Sequence, residues 1–411
     1  MTDIQVDTAT AFLTIAKALD YVGIDDVHHA HRVAYIAFHC AKQLGWDLPL
    51  IEKAYYSGLL HDCGVISSEE HKRLLQNLAP MDVNAHCEAG YEALLKTQLL
   101  SPFANIVRYH HTPWRDLQHE ELSDEDRQLA ALIHISDRLD FLRSRYADEH
   151  HPDVVTLHEG LIAENLLAHK GELFEPIMTD ALAKIVQTDG FWFAMEPYHI
   201  ERIPYEFTEF KLTEQFLGFD QLVELATFLA RIVDAKSPIT FQHSERVAKI
   251  AKELAMDLDI AVDTCDEIFV AGLLHDVGKL RTPDSVLNHE GALDDHAKTI
   301  IKRHAVDTQL TLDGLFPRSN IGRWAANHHE RIDGSGYPFK LKDQELDLPS
   351  RIVAIADVFQ ALTQKRPYKG HLNLEEVLSI IEPMVHEGQL DKQVYAVLLA
   401  RKDKYFDLSH H

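Results

Sequence analysis

The sequence predicts an all-α protein built from two tandem helical domains of the same kind, joined by a mostly helical connection. Three observations support this prediction. Apolar residues recur at helical spacing along most of the chain, strand-like alternation is nearly absent, and one ordered set of histidine and aspartate residues occurs twice. The offset between the two copies, 214 to 220 residues, is far longer than a solenoid period, so it indicates two whole domains.

The helical segments come in matching pairs. One amphipathic segment starts at Arg32, and its counterpart starts at Val247, with apolar residues at intervals of three and four. Two apolar segments end in His-Asp pairs, at Asp62 and Asp276. Two further buried-looking helices, LAALIHISDRLDFL and RIVAIADVFQALT, carry the last aspartate of each copy. One short strand candidate, GFWFAMEP from Gly190, lies between the two halves.

The duplicated set consists of a histidine, a His-Asp pair, a further histidine, a His-His pair and a final aspartate. In the second half these residues are His243, His275, Asp276, His304, His328, His329 and Asp357. In the first half they are His29, His61, Asp62, His86, His110, His111 and Asp137. The offset is 214 for the first three positions, 218 for the next three and 220 for the last. Two small insertions account for this drift.

The repeat also indicates where the domains lie. With about 100–200 residues per domain, a chain of 411 residues holds two or three domains. We place the first domain at residues 1–145, a connecting region at residues 146–217 and the second domain at residues 218–411. Each half is long enough to bury its own core.

Composition excludes several classes of function. Apolar content of 46% with 26% charged residues is typical of a soluble globular protein, and no stretch reaches the ~20 apolar residues that span a bilayer. The first residues lack a secretory signal, and the four cysteines form no C-x-x-C pair. A formal charge of −25 disfavours binding to long nucleic acid. We therefore expect a cytoplasmic protein with no membrane association. The sequence identifies no protein partner.

The duplicated residues are of the types that bind metal ions. Imidazoles and carboxylates without cysteine suit divalent Fe, Mn, Zn or Co rather than a structural thiolate zinc site. Seven ligands exceed what one ion needs, and the aspartate of the His-Asp pair is the natural bridge between two ions. Two metal ions about 3.5–4 Å apart form the usual clamp for hydrolysing a phosphate ester. The second half, with Asp276 as the bridge, is therefore a candidate phosphohydrolase site.

Four motifs of the second half resemble the HD-GYP family of bacterial cyclic-dinucleotide phosphodiesterases. They are HSERV, LLHDVGK, NHHERIDGSGYP and IADVFQALTQKRPYK, and the resemblance covers residues 218–400. It implies an all-helical HD-type fold, two or three metal ions, and cleavage of cyclic di-GMP or the mixed cyclic GMP-AMP dinucleotide. On this basis the fold is two HD-type helical domains in tandem, of which the first is divergent.

The resemblance also implies roles for single residues. The seven residues from His243 to Asp357 match the family's metal ligands, with Asp276 bridging and catalytic. Lys279 matches a lysine that contacts phosphate and stabilises developing charge, and Tyr337 belongs to the GYP motif that shapes the substrate loop. Arg366 and Lys369 match basic residues that hold the substrate phosphates. A tight turn without a substrate role at GYP, and simple surface exposure of Arg366 and Lys369, are the alternatives.

Two departures from the family pattern affect these expectations. Members with three metal ions carry a glutamate four residues before the first histidine, where this chain has Ile239. We therefore expect two divalent ions, Fe or Mn, in the second domain. The usual DVFDAL motif is DVFQAL here, with Gln360 in place of an acidic residue. This change leaves the preference between cyclic di-GMP and cyclic GMP-AMP open.

The first domain keeps the metal-type residues but not their surroundings. Asp25 lies four residues before His29, where it is either a third-metal ligand or a helix N-cap. Val65 replaces the phosphate-contacting lysine, TPWRDLQ replaces the GYP loop, and no RPYK segment follows Asp137. We expect this half to bind metal. Its role as a regulatory, structural or hydrolytic domain stays open.

Together these features predict a metal-dependent phosphodiesterase that opens a 3′–5′ cyclic dinucleotide to a linear dinucleotide or to mononucleotides. Two alternatives compete with this prediction. One is a metal-containing cyclic-dinucleotide sensor that acts through a protein partner, and the other is a nucleotidase for another substrate. A turnover assay distinguishes the sensor from the enzyme, and a panel of nucleotides tests the second alternative.

Overall fold

The computed structural model describes residues 6–23, 28–65, 67, 70, 74, 77–78, 84–148, 151–201, 203, 216–236, 242–289, 291–364 and 372–410. The chain divides into two compact units. The N-terminal unit is Asp7–Phe216, and the C-terminal unit is Leu217–His411 with Met1–Val6. The described residues form helices and isolated bridges but no strand, which confirms the all-α prediction.

The N-terminal unit contains eleven described α-helices. They are α1 (Thr8–Asp20), α2 (His29–Gln43), α3 (Leu48–Leu60), α4 (Asn84–Leu94), α5 (Ala104–Tyr109), α6 (Trp114–Leu117), α7 (Asp124–Ser144), α8 (Glu159–Ala168), α9 (Pro176–Ile185), α10 (Asp189–Phe193) and α11 (Pro197–Ile200). Short 3-10 helices lie at Tyr21–Gly23, Ser101–Phe103 and Pro152–His158.

The C-terminal unit contains ten described α-helices. They are α12 (Phe219–Lys236), α13 (His243–Asp257), α14 (Val262–Leu274), α15 (Asp284–Leu287), α16 (Asp295–Leu315), α17 (Ile321–Ala326), α18 (Leu348–Thr363), α19 (Leu374–His386), α20 (Lys392–Ala400) and α21 (Lys402–Leu408). Short 3-10 helices lie at Val277–Arg281, Asn327–His329 and Asp343–Glu345.

Local sequence explains where several of these helices begin. Asp47 caps α3 by accepting a hydrogen bond from the Leu50 amide, and Asp347 caps α18 by accepting one from the Ser350 amide. Proline follows in the first turn of both helices, where its missing N–H costs nothing. The first of these helices ends directly before the His61-Asp62 pair, and the second contains Asp357. Each cap therefore fixes the start of a helix that positions metal-type residues.

The first two helices of the repeat pack closely in each unit. A Cβ atom added to Gly58 would lie 2.5 Å from the Cα of Ala34, and one added to Gly272 would lie 2.7 Å from the Cα of Ala248. These two pairs are themselves related by the offset of 214. Because only glycine permits this approach, α2 meets α3, and α13 meets α14, with the His-Asp pairs at the ends of the second helices.

The predicted connecting region, residues 146–217, packs largely on the helices of the first repeat copy. The Tyr35 hydroxyl donates to the Phe191 carbonyl at 2.8 Å, and the Trp114 amide donates to the Leu173 carbonyl at 2.9 Å. The boundary between the two compact units therefore falls at residues 216 and 217.

The strand candidate at Gly190 is wrong, because Asp189–Phe193 is a short helix. Phe191 and Trp192 are buried, and the Trp192 indole donates to the Val186 carbonyl at 2.7 Å. Tertiary burial of these two rings therefore overrides the strand-like pattern of the segment. Among the residues that the structure describes, no helix has the length and apolar character needed to cross a bilayer.

Candidate metal centres

In the C-terminal unit, the structure brings all seven predicted residues together. The Asp276 carboxylate lies between two groups of histidines. Its Oδ2 is 3.3 Å from His275 Nε2, and its Oδ1 is 3.6 Å from both His304 Nε2 and His328 Nε2. Asp357 completes the arrangement: its Oδ1 is 3.3 Å from His243 Nε2, and its Oδ2 is 4.0 Å from His329 Nδ1.

The hydrogen bonds of these histidines leave lone pairs pointing inward. The Nδ1 atoms of His275, His304 and His328 each donate to a backbone carbonyl three residues earlier, at 2.5 to 2.7 Å. Burial holds the pKa values of His304 and His328 below their usual range, so both imidazoles are neutral. Their Nε2 atoms are then acceptors, because a neutral imidazole carries only one N–H. His304 Nε2 and His328 Nε2 nevertheless lie 3.2 Å apart. Two facing lone pairs at this distance fit a cation held by both nitrogens, so the residues present fit a metal centre.

The N-terminal unit holds its seven residues in the same arrangement. The Asp62 carboxylate again lies between two histidine groups, with Oδ2 3.3 Å from His61 Nε2 and Oδ1 3.6 and 3.5 Å from the Nε2 atoms of His86 and His110. Asp137 Oδ1 is 3.4 Å from His29 Nε2. Two remaining distances complete the set: His111 Nδ1 lies 3.5 Å from Asp137 Oδ2, and His29 Nε2 lies 3.8 Å from Asp62 Oδ2.

The N-terminal histidines also use Nδ1 for a backbone hydrogen bond and turn Nε2 toward the cluster. His61 Nδ1 donates to the Gly58 carbonyl at 2.8 Å, and His110 Nδ1 donates to the Val107 carbonyl at 2.6 Å. The Nε2 atoms of both histidines and Oδ1 of Asp62 are buried without a hydrogen-bond partner among the described residues. Buried polar atoms without a partner are rare in native proteins, and a bound cation would satisfy all three.

The close contact after each His-Asp pair explains why the pair points into its cluster. A Cβ atom added to Gly64 would lie 1.9 Å from the His86 carbonyl oxygen, and one added to Gly278 would lie 2.1 Å from the His304 carbonyl oxygen. The turn after the pair therefore presses against the helix that carries the next histidine. Any larger residue at these glycines would push the two parts of the cluster apart.

Electrostatics within the C-terminal cluster follow from burial and close opposite charges. Burial raises the pKa of the Asp276 carboxyl, but His275 and Lys279 outweigh burial and hold this pKa well below its usual range. Burial lowers the pKa of His275, but the Asp276 carboxylate outweighs burial and raises it to about 9. Burial lowers the pKa of His304 to about 4. The cluster therefore combines ionised carboxylates with the neutral imidazole of His304, whereas His275 would release a proton on binding an ion.

Lys279 and Tyr337 lie beside the C-terminal cluster. Lys279 Nζ is 2.5 Å from Asp276 Oδ2. Burial lowers the pKa of Lys279, but Asp276, Asp357 and Asp234 together raise it above its usual value. The Tyr337 ring packs on the His329 ring with centroids 4.6 Å apart, and Lys302 Nζ lies 5.4 Å from the Tyr337 ring centroid. The predicted GYP loop therefore does adjoin the paired histidines. Arg366, Lys369, Ile239 and Asp25 lie outside the described residues.

Glu330 holds the GYP loop in this position. Its buried carboxylate accepts hydrogen bonds from the Phe339 amide at 2.6 Å and the Leu341 amide at 3.1 Å. The Tyr337 amide donates to the His329 carbonyl at 3.2 Å. The glutamate directly after the paired histidines was not among the predicted site residues, although it stands inside the motif NHHERIDGSGYP.

The surroundings of the N-terminal cluster differ. Arg138 is 1% exposed and donates to Asp137 Oδ2 at 2.6 Å and to the carbonyls of Leu74 and Asn77. Cys87 Sγ lies 3.5 Å from His86 Nε2, and although burial raises the pKa of this thiol, His110 lowers it to about 6. A cavity of about 600 Å³ adjoins the cluster. Its lining includes Arg108, Tyr109, His111, Thr112 and His134.

A second layer of aspartates, which sequence reasoning missed, positions the first ligand helix of each unit. Asp20 accepts from the Ala30 amide at 2.9 Å, and Asp234 accepts from the Ser244 amide at 3.3 Å. The two amides lie in the first turns of α2 and α13, and each of these helices begins at a metal-type histidine. The offset of 214 between Asp20 and Asp234 is the signal that would have found them.

Comparisons with known proteins agree with this geometry. Residues 27–142 and residues 227–394 each match a model of the HD domain. The chain is 40% identical over 405 residues to the 3′3′-cGAMP-specific phosphodiesterase 1 of Vibrio cholerae. The aligned region covers 98% of this chain and 94% of that protein. The chain belongs to the HD-GYP family of phosphodiesterases. HD domains are metal-dependent phosphohydrolases, in keeping with both clusters.

Two other relatives of this HD-GYP protein are informative. The cyclic di-GMP phosphodiesterase of Thermotoga maritima is 34% identical over 204 residues, which is 47% of this chain and 55% of that protein. The crystal structure of the cyclic GMP-AMP-specific phosphodiesterase V-cGAP3 of V. cholerae aligns with a TM-score of 0.66 at 21% identity, covering 97% of this chain and 98% of that one. This likeness confirms the predicted HD-type fold.

Proposed function

We propose that the protein is a metal-dependent phosphodiesterase that opens 3′3′-cyclic GMP-AMP to a linear dinucleotide, and that the C-terminal unit carries the reaction. The observation that carries this proposal is the complete C-terminal cluster with the GYP loop beside it, in a chain that aligns end to end with a 3′3′-cGAMP-specific enzyme. Relatives named for cyclic di-GMP, such as that of T. maritima, align with less than half of the chain.

The metal ligands in this proposal are the seven residues of the C-terminal cluster. His243, His275 and Asp357 would hold one divalent ion and His304, His328 and His329 a second, with Asp276 bridging. Fe and Mn suit this mixture of imidazole and carboxylate ligands. When bound, the ions supply Lewis-acid stabilisation of the phosphate oxygens and an activated water molecule for attack on phosphorus.

The protein's own side chains would do the remaining work. Lys279, held against Asp276, places a positive charge beside the position of the scissile phosphate, where it offsets the charge that develops on the phosphoryl oxygens. Tyr337, packed on His329, offers an aromatic face to a nucleobase or ribose. By the family resemblance, Arg366 and Lys369 hold the substrate phosphates.

The N-terminal cluster would also hold metal, since its ligand geometry matches that of the C-terminal cluster. It would not open the cyclic dinucleotide, because Val65 stands in place of Lys279 and TPWRDLQ in place of the GYP loop. A sensor that acts through a protein partner and a nucleotidase for another substrate are the two alternatives. The GYP loop and the RPYK segment argue against the nucleotidase, and tight binding without turnover would indicate the sensor.

A matched pair of double variants tests this proposal. His275→Ala with Asp276→Ala should abolish formation of linear dinucleotide from 3′3′-cyclic GMP-AMP without unfolding the chain. The corresponding change in the N-terminal unit, His61→Ala with Asp62→Ala, should leave the rate within about threefold of wild type, because these residues belong to the other compact unit and share no hydrogen-bond partner with the C-terminal cluster among the described residues. Near-normal hydrolysis by the first variant would refute the proposal, and a panel including cyclic di-GMP would test the substrate preference.

A further inference from the structure

The two clusters differ in the residue one helical turn after the final aspartate. In the N-terminal unit that residue is Asp140, three positions after Asp137. In the C-terminal unit it is Gln360, three positions after Asp357. Both pairs are related by the same offset of 220, and both lie on the matching helices α7 and α18. Asp140 and Gln360 therefore occupy equivalent places in the two units, and both are buried.

Asp140 is the acceptor for three donor side chains. Its Oδ2 lies 2.8 Å from His29 Nδ1 and accepts from Arg32 Nη2 at 3.0 Å. Its Oδ1 accepts from Arg32 Nε at 2.7 Å and from Arg143 Nε at 2.6 Å. Each carboxylate oxygen of Asp140 accepts an arginine N–H, so the contact with His29 Nδ1 is that of an imidazole N–H donating to Oδ2. In a neutral imidazole with its proton on Nδ1, the Nε2 atom keeps a lone pair that faces the cluster.

The equivalent atoms in the C-terminal unit have no such arrangement. His243 and Arg246 correspond to His29 and Arg32 at the offset of 214. His243 Nδ1, Arg246 Nε and both amide atoms of Gln360 are buried, and within the described part of the chain none of them has a hydrogen-bond partner. His243 Nε2 still faces Asp357 at 3.3 Å, so the imidazole presents the same edge to the cluster as His29 does.

The glutamine amide differs from the aspartate carboxylate in the hydrogen-bond acceptors that it offers. A carboxylate offers two acceptor oxygens, whereas a glutamine amide offers one acceptor oxygen and a pair of donors. A single amide oxygen cannot accept from three donor side chains in the way that the two Asp140 oxygens do. The amide is also uncharged. A carboxylate that accepts from one nitrogen of a metal-bound histidine raises the basicity of the other nitrogen, and a neutral amide does not.

We propose that Asp140 is a positioning residue for the N-terminal metal centre, and that Gln360 deprives the C-terminal centre of the equivalent support. The ion held by His243 is therefore bound more weakly than it would be with an aspartate at position 360, and it exchanges more readily. This inference rests on the proposed function only in requiring that both clusters hold divalent ions.

The test uses full-length chains in which one centre alone can bind metal, with Mn²⁺ as the probe. The double variant His275→Ala, Asp276→Ala reports the N-terminal centre, and the double variant His61→Ala, Asp62→Ala reports the C-terminal centre. Free Mn²⁺ is measured by electron paramagnetic resonance during titration, which gives Kd without any activity assay. Circular dichroism melting checks that each chain is folded.

In the first background, Asp140→Asn should raise the Kd for Mn²⁺ about 10- to 100-fold, and Asp140→Glu should recover part of the loss. The matched control is Asp124→Asn, an exposed residue at the start of the same helix, which should leave Kd unchanged. In the second background, Gln360→Asp should lower Kd about tenfold or more. The visible spectrum of bound Co²⁺ should change with Asp140→Asn and not with Asp124→Asn.

Each result decides a separate question. Equal Kd values for Asp140→Asn and Asp124→Asn, or a Kd that Gln360→Asp does not lower, would overturn the inference while leaving the proposed function intact. If Asp140→Asn fails to fold, Gln360→Asp in the other unit decides the question. Failure of both double variants to bind Mn²⁺ would instead overturn the metal-dependent function.

Discussion

The N-terminal and C-terminal units hold the same seven metal-type residues in nearly the same geometry, yet they differ in what surrounds those residues. In each cluster, a cation among the described residues pairs with one of the carboxylates. In the C-terminal unit it is Lys279 on Asp276, the aspartate between the histidine groups. In the N-terminal unit it is Arg138 on Asp137, the last aspartate. The two units therefore share their metal-type residues and differ in the cation placed against them.

The position of each cation also shows what it can do. Lys279 keeps part of its side chain exposed, so its ammonium group is accessible to a substrate. Arg138 is enclosed and bound to backbone carbonyls of Leu74 and Asn77. One cation is therefore suited to catalysis and the other to stability, and four substitutions can break or sharpen this contrast.

The largest effect should come from Arg138→Met. The substitution leaves Asp137 buried without its cation and two backbone carbonyls without donors, so the N-terminal unit should lose about 3–5 kcal/mol of stability. Urea unfolding followed by hydrogen–deuterium exchange would show which unit opens. Val358→Met, at the matched position of the C-terminal unit, is the control and should cost much less. An equal loss in both variants would show that Arg138 has no special stabilising role.

Lys279→Met should reduce kcat/KM for 3′3′-cyclic GMP-AMP about 100-fold, because it removes one charge that stabilises the phosphoryl oxygens. Metal content, measured by mass spectrometry, should stay at the wild-type level. The reciprocal change, Val65→Lys in a chain with His275→Ala and Asp276→Ala, should not create this activity, because the N-terminal unit lacks the GYP loop. A Lys279→Met variant with nearly normal kinetics would remove the lysine from the mechanism.

Glu52 and Asp266, at matched positions on α3 and α14, should differ in how their stability contributions depend on pH. Burial raises the pKa of Glu52 to about 7, and its Oε1 has no hydrogen-bond partner among the described residues, whereas Asp266 pairs with Lys252 at 2.7 Å. The raised pKa means that ionising Glu52 is less favourable in the folded protein than in the unfolded chain. The free energy of unfolding is therefore highest below the ordinary glutamate pKa and falls as pH rises through about 7.

Glu52→Gln should therefore stabilise the N-terminal unit by about 1–2 kcal/mol at pH 8 and hardly at all at pH 5. Urea denaturation at the two pH values measures the difference. Asp266→Asn is the control and should give no gain at pH 8, since it removes a paired carboxylate. A Glu52→Gln variant with the same gain at both pH values would show that ionisation of Glu52 is not the cause.

The smallest effect should come from Tyr337→Leu, which removes the aromatic face beside His329 and Lys302. We expect KM for the cyclic dinucleotide to rise about five- to tenfold, as an aromatic contact is worth about 0.5–1.5 kcal/mol, with kcat changed little. Trp114→Leu, in the segment that replaces the GYP loop in the N-terminal unit, should leave both constants unchanged. A fall in kcat without a change in KM would place Tyr337 in the chemical step instead.

The sequence by itself determined the helical class, the duplication and all fourteen metal-type residues, because residue type and spacing are preserved when a unit is copied. It also located Lys279 and Tyr337 through their motifs. Gly190 shows where local pattern failed, since burial of Phe191 and Trp192 decided that segment.

Only the tertiary structure decided which groups lie behind the ligands. Asp140 behind His29, Arg138 against Asp137 and Glu330 beneath the GYP loop depend on contacts that helix packing and loop folding create. The sequence shows Gln360 only as a substitution in a motif, and does not show that its buried amide has no hydrogen-bond partner among the described residues. Ligand identity is a local property of the chain, but the charge and hydrogen bonding that tune a ligand come from distant segments brought together by folding.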